Sequence, residues 1–261
     1  MKNLPTLFVS HGSPMLSLED GPARRFLTGW GEQHVRPKAI LVASAHWETR
    51  GGVGVSTAEQ PRAIHDFGGF PRELYELQYA APGAPGVAQQ TIALLQEAGF
   101  MVAPSDNRGL DHGAWVPLRL MYPAADIPVF QVSLLHGASP AEHYRLGAAL
   151  QPLREQGVLV MGSGSVTHNL YEIMGHGQDD PVEPWVSEFD QWLAATLEAG
   201  RVADLLEYRK LAPNAVRNHP TEEHLLPLFV ALGAAGTSAV ATRVHASHTY
   251  GILAMDAYTF E

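Results

Sequence analysis

Three times along the chain, a short run of apolar residues ends abruptly in small residues and a histidine. Leu7-Phe-Val leads into Ser10-His11-Gly12, Ile40-Leu-Val-Ala into Ser44-Ala45-His46, and Val158-Leu-Val-Met into Gly162-Ser-Gly-Ser-Val-Thr-His168. Apolar runs that are continuous, not alternating, predict strands of a parallel sheet covered on both faces. The second is expected to start at Pro37-Lys38 and end at His46. Residues 127–134 predict a further strand and 100–104 a short one. Residues 51–57, alternating glycine and valine, predict an irregular strand or hairpin arm. The last strands are expected at 239–244 and 251–260, with His245 and His248 in their connection.

Between these runs the apolar spacing turns helical. Helices are predicted at 22–30, 73–79, 85–98, 141–156, 185–198 and 202–210. Strands alternating with helices predict an α/β fold: a single domain over residues 1–261, with a central mostly parallel or mixed sheet flanked by helices. No repeat or linker-like tract divides it. In open α/β sheets ligands sit beyond the carboxyl ends of the strands. His11, His46 and His168 are therefore expected in one crevice, and a metal site is expected there.

Other candidates lie in loops. Residues 64–71 are rich in glycine and aromatics and place His65 near the pocket; its alternative is a loop histidine bonded to backbone. Trp47 is a candidate pocket wall or an ordinary core residue. Asp111-His112-Gly113 opens a helix, where an acid can orient a histidine. Thr221 is expected to cap a helix carrying His224 on its first turn, with Glu222 and Glu223 beside it. His136 and His143 are expected at the surface. The Gly162-Ser-Gly-Ser165 run lacks both the P-loop ending and the esterase elbow order.

Composition narrows the chemistry. The chain of 261 residues has no cysteine, which excludes disulfides, thiolate metal sites and a cysteine nucleophile, and fits a reducing, cytoplasmic setting. A net charge of -10 argues against nucleic acid and anionic membranes. No stretch is long and apolar enough to span a bilayer, and residues 1–6 show no signal-peptide pattern. Thirteen histidines stand against 17 Lys plus Arg, and nitrogen or oxygen ligation suits Fe(II), Zn(II), Mn(II) or Cu(II).

Six segments sharpen this: Ser10-His-Gly-Ser-Pro14, Ser44-Ala-His-Trp47, His65-Asp-Phe-Gly-Gly-Phe-Pro71, Asp111-His-Gly-Ala-Trp115, His168-Asn-Leu170 and Pro220-Thr-Glu-Glu-His-Leu-Leu-Pro227. In this order, over nearly the entire chain, they resemble the 4,5-DOPA-type branch of the class III extradiol ring-cleavage dioxygenases. The resemblance implies an enzyme that opens a catechol with dioxygen, inserting both oxygen atoms to give a muconic semialdehyde. It implies one divalent non-haem metal ion, Fe(II) in the active enzyme, on His11, His46 and His224. The related protocatechuate branch has a glutamate at the third position; three histidines would also suit Zn(II), and Glu222 or Glu223 is an alternative ligand. His168 would be the base or a fourth nitrogen, His112 would hydrogen-bond the substrate oxygen or the bound dioxygen, and His65 would line the substrate pocket, where Trp47 is the candidate wall named above. Arg50, Arg62, Arg72 and Arg119 lie near these segments as carboxylate binders or solvated charges. The expected partners are a small catechol and dioxygen, with the chain a monomer or small homo-oligomer. Two other readings fit the same residues: a zinc hydrolase or lyase, and a non-enzymatic metal-binding protein.

Overall fold

The computed structural model describes residues 4–261, so the first three residues of the N-terminal stretch lie outside it. The strands are β1 (Thr6–Ser10), β2 (Ala39–Thr49), β3 (Val53–Ser56), β4 (Val102–Ser105), β5 (Val129–Leu135), β6 (Val158–Gly164), β7 (Ala241–His245), β8 (His248–Thr249), β9 (Leu253–Ala254) and β10 (Ala257–Phe260). Eight form one mixed sheet in the order β4-β3-β5-β2-β6-β1-β10-β7, and β8 pairs with β9. Its centre, β5-β2-β6-β1, is parallel throughout; β10 and β7 extend it antiparallel beyond β1, and β3 meets β5 antiparallel.

The continuous apolar runs are explained by burial on both faces. Leu7, Val9, Ile40, Val42 and Met161 point to one side, toward the helices Pro22–Gln33 and His112–Met121. Phe8, Leu41, Ala43, Phe130 and Val160 point to the other, toward the helices Pro85–Glu97, Pro140–Leu150, Pro184–Glu198 and Leu226–Ala235. The last is apolar all round and every residue in it is buried, as a helix laid through a core must be.

Several boundaries depart from the sequence reading. β2 does not end at His46 but runs to Thr49, through an irregularity: Ala43 faces Val132 and Glu48 faces Leu134, so residues 44–47 answer to one residue of β5. The helix expected at 141–156 is broken, because Pro152 starts a new turn, Pro152–Glu155, after Leu150. The one expected at 202–210 is split at Glu207, and 73–79 shortens to Arg72–Glu76. His143 is not at the surface. It is fully buried, accepts the backbone N–H of Leu135 on Nε2 at 3.0 Å and approaches the Ser139 carbonyl through Nδ1 at 2.9 Å. His136 is exposed and meets Arg50 at 2.8 Å. Among the described residues no helix is long and apolar enough to cross a membrane.

Candidate metal centre

The carboxyl ends of β1, β2 and β6 open into one crevice. His11 follows β1 directly. His46 sits on the irregular part of β2, where four residues against one turn the strand out of regular pairing. His224 comes from the turn before Leu226–Ala235, not from a helix capped by Thr221, whose hydroxyl bonds Glu223 at 3.0 Å instead. The Nε2 atoms of His11 and His46 are 3.0 Å apart. One ring nitrogen from each of His11, His46 and His224 lies within 4.8 Å of the other two. His224 Nε2 is buried with no hydrogen-bond partner. Buried polar atoms are rarely left unpaired without a reason, and three nitrogens converging on a common point are what a divalent ion requires.

Two of the three rings are held from behind by hydrogen bonds. His11 Nδ1 lies 3.0 Å from Ser163 Oγ, and Ser163 Oγ donates to the Gly113 carbonyl at 2.5 Å. That carbonyl is free because the residue four further on in the helix is Pro117, which has no N–H. With the Ser163 proton spent on Gly113, the hydroxyl must accept from His11 Nδ1–H. His11 is thereby fixed in the tautomer whose Nε2 lone pair faces the crevice. Gly113 itself must be glycine: a Cβ there would sit 2.5 Å from Ser44 Oγ, 3.1 Å from His11 Nδ1 and 3.1 Å from His46 Cδ2. His224 Nδ1 meets Glu223 Oε1 at 3.0 Å. Glu222 turns away, accepting from Tyr208 Oη at 3.0 Å, so neither glutamate joins the three nitrogens.

His112 and His168 border the same space. The His112 ring centroid is 3.9 Å from that of His46, and His168 stacks on His224 at 3.4 Å. Asp111 does not orient His112. Fully buried, it caps the helix and accepts from Ser44 at 2.6 Å, Arg108 at 2.6 Å and Gln131 at 2.9 Å. The orienting acid is Asp66, which accepts from both the backbone N–H and Nδ1 of His112 at 3.0 Å. Burial pushes the Asp66 carboxyl up, but the hydrogen bonds and charge of His112 outweigh it, to about 2.

Burial, reinforced by the neighbouring imidazoles, holds His11 and His224 well below the ordinary histidine range. His46 and His168 are lowered to about 4, burial first in each case. At neutral pH these rings are uncharged, the form that binds metal or accepts a proton.

The crevice is a cavity of about 410 Å³ lined by His11, His46, His112, His168 and His224 together with Phe67 and Phe70. Two expected lining residues are elsewhere. His65 Nε2 meets the Leu77 carbonyl at 3.0 Å, behind Phe67. Trp47 lies against Gly54, under the Arg108 guanidinium at 4.9 Å. Both leave the cavity because a polar loop carbonyl and a cation claim them. The candidate carboxylate binders Arg50, Arg62, Arg72 and Arg119 do not line it either. Sequence reasoning missed Asp66, Ser163, Phe67 and Phe70. For Asp66 and Phe67 there was a signal, since both adjoin His65 in a loop already placed near the pocket.

Comparison with known proteins points to one family. Residues 5–260 match a family described as "Catalytic LigB subunit of aromatic ring-opening dioxygenase". A protein named 4,5-DOPA dioxygenase extradiol from Beta vulgaris is 45% identical, over 98% of this chain and 96% of its own. One of the same name from Escherichia coli K12 is 42% identical, over 88% of this chain and 85% of its own. A crystal structure of an uncharacterized Escherichia coli K12 protein superposes with a TM-score of 0.82 at 34% identity, covering 99% of this chain and 100% of that one.

Proposed function

The chain belongs to the family of the catalytic LigB subunit of aromatic ring-opening dioxygenases, and from that premise we propose that it cleaves a catechol by the extradiol route. The whole chain serves as one catalytic domain, and a single divalent metal is held by His11, His46 and His224. The observation that carries this reading is the convergence of three ring nitrogens, one of them buried and unpartnered, at the base of an aromatic-walled cavity. The donor set fits the ion: all three rings are neutral, and two are backed by hydrogen bonds that orient them.

A divalent iron there would supply the electron-transfer capacity that lets dioxygen react with a catechol. The all-nitrogen set also suits zinc, which a purified sample can carry in its place. The remaining work falls to the protein. His168, neutral and stacked on His224, accepts a proton from a catechol hydroxyl. His112, held by Asp66, hydrogen-bonds the substrate oxygen. Phe67 and Phe70 take the ring and exclude water. The ring opens beside the diol, and both atoms of dioxygen end in a muconic semialdehyde. DOPA, in the names of the relatives, is one catechol of this class.

The test is anaerobic reconstitution with Fe(II), followed by oxygen uptake against a small catechol panel. The expected result is one dioxygen consumed per catechol, with a yellow ring-opened product. No uptake with any catechol under Fe(II), or oxygen-independent turnover under zinc, would contradict the reading.

A further inference from the structure

Resting on the catechol reading above, we propose that Ser13 and Tyr250 form a subsite for the side-chain carboxylate of a catecholic amino acid, with Glu19 receiving its ammonium group. The histidine cavity of about 410 Å³ and a smaller groove of about 90 Å³ share two lining residues, Ser13 and Tyr250. A catechol ring at the histidines leaves room for a side chain in such a volume, and a side chain directed toward the groove passes these two. Both hydroxyls are free to donate. Tyr250 Oη makes no hydrogen bond among the described residues. Burial and the nearby Glu19 carboxylate raise its pKa from the ordinary value, so the phenol keeps its proton at neutral pH. Ser13 Oγ accepts from the Met15 N–H at 3.2 Å, which leaves its own proton unspent. Along the same wall, the backbone N–H groups of Gly12 and Ser13 have no acceptor among the described residues. Unspent donors on one wall are what an anion requires when it leaves water.

Tyr250 is held where it is at a cost. Its φ of 54° lies in the left-handed region, where a bulky residue is rare, and Gly251 follows at 62°. This turn joins β8 to β9 and is tied down by its backbone: the Tyr250 N–H donates to the Gln178 carbonyl at 2.9 Å, and the Glu183 N–H to the Gly251 carbonyl at 2.9 Å. A glycine at 250 would meet the backbone requirement without strain, so a tyrosine there points to a task for its side chain. Glu19 supplies the opposite charge. It is half-buried, lines the groove and forms no ion pair among the described residues, whereas Asp20 beside it is paired with Arg25. No lysine or arginine lines either space. A carboxylate alone would meet the hydroxyls but also the Glu19 charge. An ammonium alone would meet Glu19 and leave the hydroxyls unused. A zwitterion satisfies both.

The experiment compares four ligands of similar shape: L-DOPA, 3,4-dihydroxyphenylpropionate, which lacks the ammonium, dopamine, which lacks the carboxylate, and 4-propylcatechol, which lacks both. Their affinities for the zinc-loaded protein are measured by anaerobic calorimetry, and kcat/KM is measured separately on the iron-loaded enzyme. The expected result is that L-DOPA binds tightest, at least ~10-fold above each of the others, a difference of about 1.4 kcal/mol. Tyr250→Phe keeps the ring and removes only the hydroxyl. It should lower the affinity ratio of L-DOPA to 4-propylcatechol by ~10-fold, the loss of one hydrogen bond to a charged group. Glu19→Gln should narrow the gap between L-DOPA and the propionate by ~5-fold or more.

Any of the other three binding as tightly as L-DOPA overturns the proposal. An unchanged ratio in Tyr250→Phe, or an unchanged gap in Glu19→Gln, overturns it as well. So does an equal loss for all four ligands in Tyr250→Phe, which would place the phenol at the diol or in the support of the fold. The expected ordering without oxygen uptake would support the subsite while refuting ring cleavage. Oxygen uptake with 4-propylcatechol and no preference for L-DOPA would refute the subsite alone. Failure of all four to bind would refute both.

Discussion

Ser163 touches neither the expected metal position nor the substrate space, yet its removal should weaken the metal centre. In Ser163→Ala two buried groups lose their partner together: His11 Nδ1–H, 3.0 Å from the hydroxyl, and the Gly113 carbonyl, 2.5 Å from it. Pro117 prevents the helix from repairing the second loss. An orphaned buried polar group costs about 1–3 kcal/mol, so the metal-free protein should be less stable by about 2–4 kcal/mol if both are only partly relieved. His11 also becomes free to exchange tautomers, and half of the exchange points an N–H at the metal. Losing such a partner behind a ligand typically costs about 10–100-fold in metal affinity, or about 1.4–2.7 kcal/mol. Zinc affinity by chelator competition and urea unfolding of the metal-free protein read the two effects separately. Affinity within twofold of the parent protein, with an unchanged unfolding midpoint, would refute the assignment of the His11 tautomer to Ser163.

Three further outcomes are expected. His168→Ala should retain metal and lose turnover by ~10²–10⁴-fold; full activity in that variant removes His168 from the mechanism. Gly113→Ala should lower both stability and metal affinity, since its new Cβ would meet Ser44, His11 and His46; a thermal scan and a metal titration indistinguishable from the parent's would contradict the close approach. The metal-free protein should lose stability on acidification. His46, His168 and the fully buried His219, whose Nε2 meets the Val166 carbonyl, are lowered to about 4 chiefly by burial, against 6.5 in the unfolded chain. The unfolded state therefore binds protons first, and stability is complete above about pH 6.5 and lost between there and about pH 4. The slope is about 1.4 kcal/mol per pH unit for each histidine. A flat unfolding midpoint across that window would count against the buried neutral rings.

The central strands were legible because burial on both faces leaves an unmistakable continuous apolar run. The histidines that close the apolar runs, His11 and His46, with the rule that ligands gather at strand carboxyl ends, located the crevice, although β2 itself runs on to Thr49. What the pattern did not carry was pairing. The irregularity that turns His46 outward depends on β5, which the β2 sequence cannot report. Pro152 breaks a helix whose apolar spacing continues on either side, so periodicity read it as one. His143 was misplaced because a loop-end histidine looks exposed until its two backbone partners, Leu135 and Ser139, are known.

Asp66 and Asp111 show the same limit at the site. Adjacency favoured Asp111 as the acid orienting His112, whereas the fold gives that task to a residue 46 positions away in sequence. Asp111 instead holds the helix start, Ser44 and Arg108 in place. Ser163 was invisible as a function-bearing residue, because its role exists only through a carbonyl that Pro117 leaves vacant. Trp47 was a plausible lining by neighbourhood and His65 by neighbourhood and resemblance, and their partners are a guanidinium and a backbone carbonyl.

The central claim is that His11, His46 and His224 hold one divalent ion. X-ray absorption on the anaerobic Fe(II)-loaded protein, alongside His11→Ala, His46→Ala and His224→Ala, tests it most directly. The account predicts one iron per chain with three imidazole nitrogens in the parent protein, and loss of that signal with loss of stoichiometric binding in every variant. Full stoichiometry with an unchanged imidazole count in any of the three would contradict it.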